Sequence, residues 1–274
     1  MTLNKFLGIE EISNKIPSSF LKKFVIEKVK TKTALSKSGL LDVDFSINPY
    51  IGCLHGCKYC YAKDIINKTN QNPTSPSKDW GSFVKIKRNI LPILSKEINS
   101  KKLKSKSVLL SAVTDPYQPI EQFSCLTRNI IQILPEEMKI FILTKNSLVY
   151  RDLDIFSTKP FLQIGMSFST YKKSEKEFYE PNTTEISERI LTLKKIADKG
   201  ISTYAFIAPI QPETPYWRIE KIIESLSFVN YIMIDKLNLR SSKMKPILNQ
   251  KYYDDLKYHI QNNVTTNIEL EFLF

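Results

Sequence analysis

Three of the chain's four cysteines, Cys53, Cys57 and Cys60, fall within eight residues, in the run Gly52-Cys53-Leu54-His55-Gly56-Cys57-Lys58-Tyr59-Cys60-Tyr61. Thiolates this close must share a metal, share a disulfide, or repel one another as they ionise. Disulfide pairing leaves one of three over. On one tight loop, C-x3-C-x2-C thiolates are suited to hold three irons of a four-iron cluster, leaving the fourth iron open to a small molecule and able to pass it an electron. A rival reading adds His55 to make a Cys3His zinc site. His55 is only two residues from Cys53 and from Cys57, a cramped bite, and the sequence has no second CxxC or HxxxH to supply the usual second knuckle. Cys125 is isolated and reads as a small buried hydrophobe rather than a fourth ligand.

The elements around this loop must hold it at the end of a strand. Phe45 to Tyr50 reads as a short strand running into the cysteines, and Tyr61 to Asn67 opens a helix. Strand-like, largely apolar runs follow at 83–87, 107–113, 139–144, 162–168, 203–208 and 231–235. Amphipathic segments separate them at 90–98, 126–134, 151–156, 186–199 and 217–226. Apolar strands alternating with amphipathic helices predict buried parallel strands in βαβ units, an α/β fold. Gly200 closes the 186–199 helix. Residues 70–79, rich in Asn, Pro, Thr and Ser, read as a loop. Residues 1–43 read as an N-terminal extension with a helix near 20–29, residues 44–240 as the β/α body, and 241–274 as a C-terminal extension. In parallel barrels the chemistry sits on loops after the C-terminal strand ends, where the cysteine loop also falls.

With 274 residues and 42% hydrophobic content the chain can fill a sizeable core. No apolar run reaches membrane-spanning length and the N-terminus lacks a signal-peptide core, so a cytoplasmic, reducing setting is expected and no membrane partner. The net charge of +12, Lys+Arg 40 against Asp+Glu 28, favours anionic partners, nucleic acid foremost. Basic stretches stand at 22–23, 28–32 and 101–106. Tyr252, Tyr253 and Tyr258 with Lys251 and Lys257 mix basic and aromatic residues as nucleic-acid binders do, but fit a half-buried helix equally well. Asp115, Asp152 and Asp154 read as caps or solvated acids, and His259 as structural.

The cysteine spacing resembles the radical S-adenosylmethionine superfamily. The marks Gly56-Cys57-Lys58-Tyr59-Cys60-Tyr61, Thr114-Asp115-Pro116-Tyr117-Gln118-Pro119, Leu143-Thr144-Lys145, Met166-Ser167-Phe168, Glu180-Pro181 and Ala208-Pro209-Ile210 extend the resemblance to the spore photoproduct lyase and DNA repair photolyase-like family, over 48–240. That resemblance implies an open, partial (β/α)6 radical S-adenosylmethionine barrel with N- and C-terminal extensions. It implies a [4Fe-4S] cluster on Cys53, Cys57 and Cys60, and S-adenosylmethionine cleaved to a 5′-deoxyadenosyl radical. An electron donor such as ferredoxin or flavodoxin and a nucleic-acid substrate, DNA favoured, are further implications. Tyr59 is expected against the adenine, and Thr114, Lys145 and Ser167 are expected to bind the cofactor. Tyr61 joins the cysteines as a candidate catalytic residue, able to take part in radical relay. In the lyase a hydrogen-donating cysteine directly precedes the hydroxyl residue matched by Thr114. Here that position is Val113, which has no hydrogen to give in that way. A radical enzyme acting on a protein or small molecule, maturase-like, and a zinc-binding nucleic-acid module are the competing functions.

Overall fold

A computed structural model describes residues 15–40, 42–69, 79–100, 103, 105–211, 214–237 and 250–274. The body is one eight-stranded sheet. Six of its strands run parallel and lie side by side in chain order: β3 (Phe45–Ile47), β6 (Ser107–Leu110), β7 (Lys139–Thr144), β8 (Leu162–Phe168), β9 (Ser202–Ile210) and β10 (Tyr231–Lys236). Sequential neighbours with a helix in each crossover make a barrel-like sheet with no reversal of strand order. The sheet is open. Its edges are β2 (Ser36–Lys37), antiparallel to β3, and β11 (Glu269–Phe272), parallel to β10. The partial α/β barrel expected from the sequence is therefore present.

The helices are α1 (Ser18–Lys23), α2 (Ala62–Lys68), α3 (Ile90–Ser100), α4 (Glu121–Ser124), α5 (Leu126–Ile133), α6 (Leu153–Phe156), α7 (Lys173–Tyr179), α8 (Ile186–Ala197), α9 (Tyr216–Ser225) and α10 (Gln250–Asn263). One face of the central strands is fully buried, at Ile140, Ile142, Ile164, Met166, Phe168, Ala205, Ile207, Ile232 and Ile234. The other face is apolar but only partly buried at Phe141, Leu143, Phe206 and Met233. Gly165 on β8 gives its side-chain space to the ring of Tyr204 on β9, since a Cβ there would come within 2.3 Å of that ring.

Three expectations need correction. The helix near 20–29 is a short helix, α1, followed by strand β1 (Val25–Val29). The β-branched Val25, Ile26 and Val29 pair in parallel with β5 (Phe83–Lys87), and the pairing overrides any helical preference. The strand at 83–87 does not belong to the barrel series: β5 is the centre of a separate three-stranded sheet, β1-β5-β4. Finally, the strand 45–50 is two strands. β3 stays in the large sheet, while β4 (Tyr50–Ile51) leaves it to pair antiparallel with β5. The cysteine loop thus starts from the small sheet, one step beyond the barrel strand. The loop read at 70–79 falls almost wholly outside the described residues, as do Lys101, Lys102, Lys104 and Arg240.

The C-terminal segment packs against the body. Tyr253 of α10 is fully buried, with its hydroxyl donating to the Ile210 carbonyl at 2.9 Å, and Tyr252 donates to the Thr214 carbonyl at 2.7 Å. His259 pairs with Glu220 of α9 at 2.5 Å. Of the basic-aromatic tail, Lys251 and Tyr258 face water, while Tyr252, Tyr253 and Lys257 are packed wholly or in part.

Candidate active site

The cysteine loop is built by backbone geometry and clasped from two sides. Gly56 (φ 65°) and Gly81 (φ 97°) touch backbone to backbone; a Cβ on Gly81 would lie 2.6 Å from the Gly56 Cα. Only glycine suits both positions, for space and for the left-handed φ. On one side, the 114–119 segment after β6 supplies the anchors. Thr114 Oγ1 donates to the Gly52 carbonyl at 2.6 Å, Gln118 Nε2 donates to the same carbonyl at 3.2 Å, and the Leu54 amide donates to Gln118 Oε1 at 2.9 Å. On the other, Asn182 Nδ2 donates to the Leu54 carbonyl at 2.9 Å and the Lys58 amide donates to the Tyr179 carbonyl at 2.9 Å.

Asp115 ties this frame to the next strand. Its carboxylate accepts from Thr144 Oγ1 at 2.7 Å and the Lys145 amide at 2.9 Å, and faces His55 Nδ1 at 3.3 Å. Burial would raise its pKa, but His55 and these donors bring it below the ordinary carboxylate value. Asp115 therefore does more than cap a turn. Asp152 is fully buried between Arg128 and Arg151, and Asp154 pairs with Arg128 at the surface. Cys125 lies half-buried at the α4–α5 junction, 3.7 Å from Arg151 Nη1.

All three loop cysteines are free thiols; Cys53 and Cys57 are buried and Cys60 is partly exposed. Burial raises the pKa of each. Cys53 is raised further by Asp115 and by the charges of Cys57 and Cys60, and Cys57 by Glu180 and Cys60, so the three sulfurs feel one another. Opposing this, the nearby backbone amides of Ala62 and Lys63 favour the thiolate of Cys60, that of His55 favours Cys53, and the Lys145 ammonium favours those of Cys57 and Cys60. Backbone N–H dipoles and a nearby cation are the environment of an anionic iron–sulfur cluster.

Among the described residues no three His, Cys, Asp or Glu side chains gather tightly enough to hold a single metal ion. His55 Nε2 is buried without a partner among the described residues.

Lys145, at the end of β7, stands over this loop. Its ammonium donates to Ser167 Oγ on β8 at 2.6 Å, pairs with Glu180 at 2.9 Å and lies 5.7 Å from the Tyr59 ring centre. Glu180 is the centre of the cage. Fully buried, it accepts from the hydroxyls of Tyr59 and Ser169, from Lys145 and from the fully buried Arg189. Burial alone would raise its pKa, yet Lys145 and Arg189 hold it far below the ordinary value. Arg189 Nη1 also donates to the Ser167 carbonyl at 2.9 Å. The structure thus brings Tyr59, Lys145 and Ser167 together beside the cysteines, while Thr114 is engaged with the base of the loop. Tyr61 is half exposed, and its hydroxyl donates to the Ala112 carbonyl, next to Val113. The sequence reading took Asp115 for a cap or a solvated acid and assigned no role to Glu180, Arg189 or Gln118. The Glu180-Pro181 pair and the Asp115 and Gln118 positions stood inside quoted motifs, but nothing in Arg189's neighbours marked it.

A family model described as the Radical SAM superfamily matches residues 47–226. The chain belongs to this superfamily. An uncharacterized protein of Methanocaldococcus jannaschii is 36% identical over 245 residues, 89% of each chain. An uncharacterized Mycobacterium tuberculosis protein is 27% identical over 193 residues, 68% of this chain and 56% of that one. Among solved structures, spore photoproduct lyase complexed with dinucleoside spore photoproduct has a TM-score of 0.65 at 13% identity, covering 91% of this chain and 82% of the lyase. Streptococcus suis SuiB bound to a precursor peptide has a TM-score of 0.53 at 12% identity, covering 94% of this chain and 52% of SuiB. At these identities the structural likeness is one of fold. Superfamily membership implies a [4Fe-4S] cluster and S-adenosylmethionine. The donor set, three free, mutually close thiols on one loop with backbone amides and a lysine facing them, fits the cluster. No helix among the described residues is long and apolar enough to cross a membrane.

Proposed function

We propose that this protein is a radical S-adenosylmethionine enzyme acting on nucleic acid, with DNA the favoured substrate. When bound on Cys53, Cys57 and Cys60, a [4Fe-4S] cluster supplies the electron that cleaves S-adenosylmethionine to a 5′-deoxyadenosyl radical. The observation that carries the reading is the loop itself: three unpaired thiols held in one frame and faced by the Lys145 ammonium.

The chain's own residues then have distinct tasks. Lys145 offers a cation for the cofactor carboxylate, and Ser167 Oγ steers that cation. Tyr59 presents its ring to the adenine and is oriented by its bond to Glu180. Thr114 contributes a hydroxyl next to the cofactor while it holds Gly52. Tyr61, beside Ala112, is the candidate for radical relay. Val113, with Tyr50, Ile51, Ile66, Asn48, Thr69 and Lys87, lines a small cleft that offers no thiol hydrogen. Direct reversal of spore photoproduct is therefore not the activity expected; a different radical reaction on a base is.

The nucleic-acid half is supported by the +12 charge and by the dinucleoside held in the lyase structure. Ferredoxin or flavodoxin is the proposed class of electron donor. The test uses anaerobically reconstituted protein. Cys53→Ala, Cys57→Ala and Cys60→Ala should each abolish the reduced-cluster EPR signal and 5′-deoxyadenosine formation, and Cys125→Ala should retain both. Full activity in Cys57→Ala would end the cluster assignment. Oligonucleotide binding that weakens steeply with salt supports the substrate class. Its absence would move the protein to the peptide or small-molecule reading, for which the peptide-bound SuiB fold is the precedent.

A further inference from the structure

We infer that Tyr171, Trp217 and Phe178 form a stacking platform for an unpaired stretch of nucleic acid beside the cysteine loop, with Lys58 and Lys221 meeting its phosphates. The inference rests on the nucleic-acid reading above and gives it a place on the molecule.

All three rings are large, apolar and exposed: Trp217 by 45%, Tyr171 by 38% and Phe178 by 56%. They stand at the same end of the barrel as the cysteines. Tyr171 follows the C-terminal end of β8, Phe178 lies on α7 in the same crossover, and Trp217 opens α9 after β9. A gathering of exposed rings on the functional end marks a contact surface rather than scattered surface residues.

The rings are interleaved with cations. Trp217 and Tyr171 meet edge to face, centroids 6.2 Å apart at 80°. Both rings stay exposed in this pair, which leaves apolar surface for a third flat partner. Lys221, one turn along α9 from Trp217, places its ammonium 5.2 Å from the Trp217 ring and 6.0 Å from the Tyr171 ring. The Arg218 guanidinium is 5.4 Å from the Trp217 ring, and its Nη1 donates to Glu175 of α7 at 2.6 Å, which locks α9 to α7. At the other end, the Lys58 ammonium sits 3.1 Å from the Phe178 ring centre. Lys58 lies between Cys57 and Tyr59, so Phe178 stands against the loop that carries the thiols.

Alternating π faces and cations match a single strand, whose bases stack and whose phosphates need counter-charges. An acidic peptide would use the cations and leave the rings wet. A duplex hides its base faces. The chemistry of the surface therefore commits to unpaired nucleotides, delivered toward the radical site.

The experiment measures anisotropy of a labelled oligothymidine about ten nucleotides long, bound to cluster-loaded protein with S-adenosylmethionine present. Trp217→Ala should weaken binding roughly tenfold or more, the loss of one stacked base, and Trp217→Phe should restore most of it. Lys221→Ala should lower the slope of log affinity against log salt by about one. The visible absorbance of the cluster and substrate-independent cofactor cleavage should be unchanged in all three. Salt-sensitive binding by the parent that Trp217→Ala and Tyr171→Ala leave intact would overturn the platform while the nucleic-acid reading stands. Binding by none of the proteins would overturn both. Loss of an acidic peptide in parallel with the oligonucleotide would show a protein-docking surface instead.

Discussion

Glu180 offers the most direct test of how the site is held together. It is fully buried and pairs with two cations, Arg189, equally buried, and Lys145, while Tyr59 and Ser169 donate to the same carboxylate. Glu180→Ala strands a buried guanidinium, for which the loss on breaking a buried pair is about 3–5 kcal/mol. Two hydroxyls also lose their acceptor, and relaxation of Lys145 toward water returns part of the cost. Taking about 4 kcal/mol and the ~2–4 °C per kcal/mol expected at this chain length, the melting temperature should fall by roughly 8–16 °C. Glu180→Gln, which keeps an acceptor but not the charge, should lose less. The assay is thermal unfolding by circular dichroism, run with visible absorbance of the cluster, because Tyr59 hangs between Glu180 and the cysteine loop. The pH dependence has a fixed sign. The folded-state pKa lies far below the ordinary 4.5, so the carboxylate's contribution is complete above that value and declines only as pH falls below it. The gap between parent and Glu180→Ala should thus be flat from neutral pH down to the ordinary carboxylate value and narrow beneath it. A Glu180→Ala protein melting within about 2 °C of the parent would refute the reasoning.

Other perturbations probe the remaining parts. Lys145→Ala should weaken S-adenosylmethionine binding by ~1.5–3 kcal/mol, read by equilibrium dialysis; unchanged affinity removes Lys145 from the cofactor site. Gly81→Ala should block assembly of the cysteine loop, because its Cβ would meet the Gly56 backbone at 2.6 Å with φ at 97°; normal iron content after reconstitution would contradict the close approach. With dinucleotide spore photoproduct, the parent should cleave cofactor but restore little thymine, and Val113→Cys should restore more. Clean thymine from the parent would show that another group donates the hydrogen.

The candidate cluster ligands were legible because three thiols in eight residues need no tertiary information to be found together. The parallel strands were legible for a similar local reason: a strand covered on both faces is apolar on both, and Ile140-Phe141-Ile142-Leu143 in β7 is such a run. The small sheet was not, because Val25–Val29 becomes a strand only by pairing with Phe83–Lys87, more than fifty residues away. The same limit hid the inside of the site. In sequence, Asp115 is an acid in a loop and Glu180 an acid before a proline. Arg189 is a basic residue among others on an amphipathic helix. What makes them structural centres is burial, which penalises a lone charge so heavily that each must find its partners, and those partners come from different strand ends. Thr114 shows the converse: its placement at a strand end was readable, but its bond to the Gly52 carbonyl depends on how the loop folds back over it. The sequence by itself determined that three thiols share one loop and that parallel β/α units make up the body, both written in local spacing and hydrophobic runs. Only the tertiary structure decided which buried charges neutralise one another, because that depends on distances between residues the chain keeps far apart.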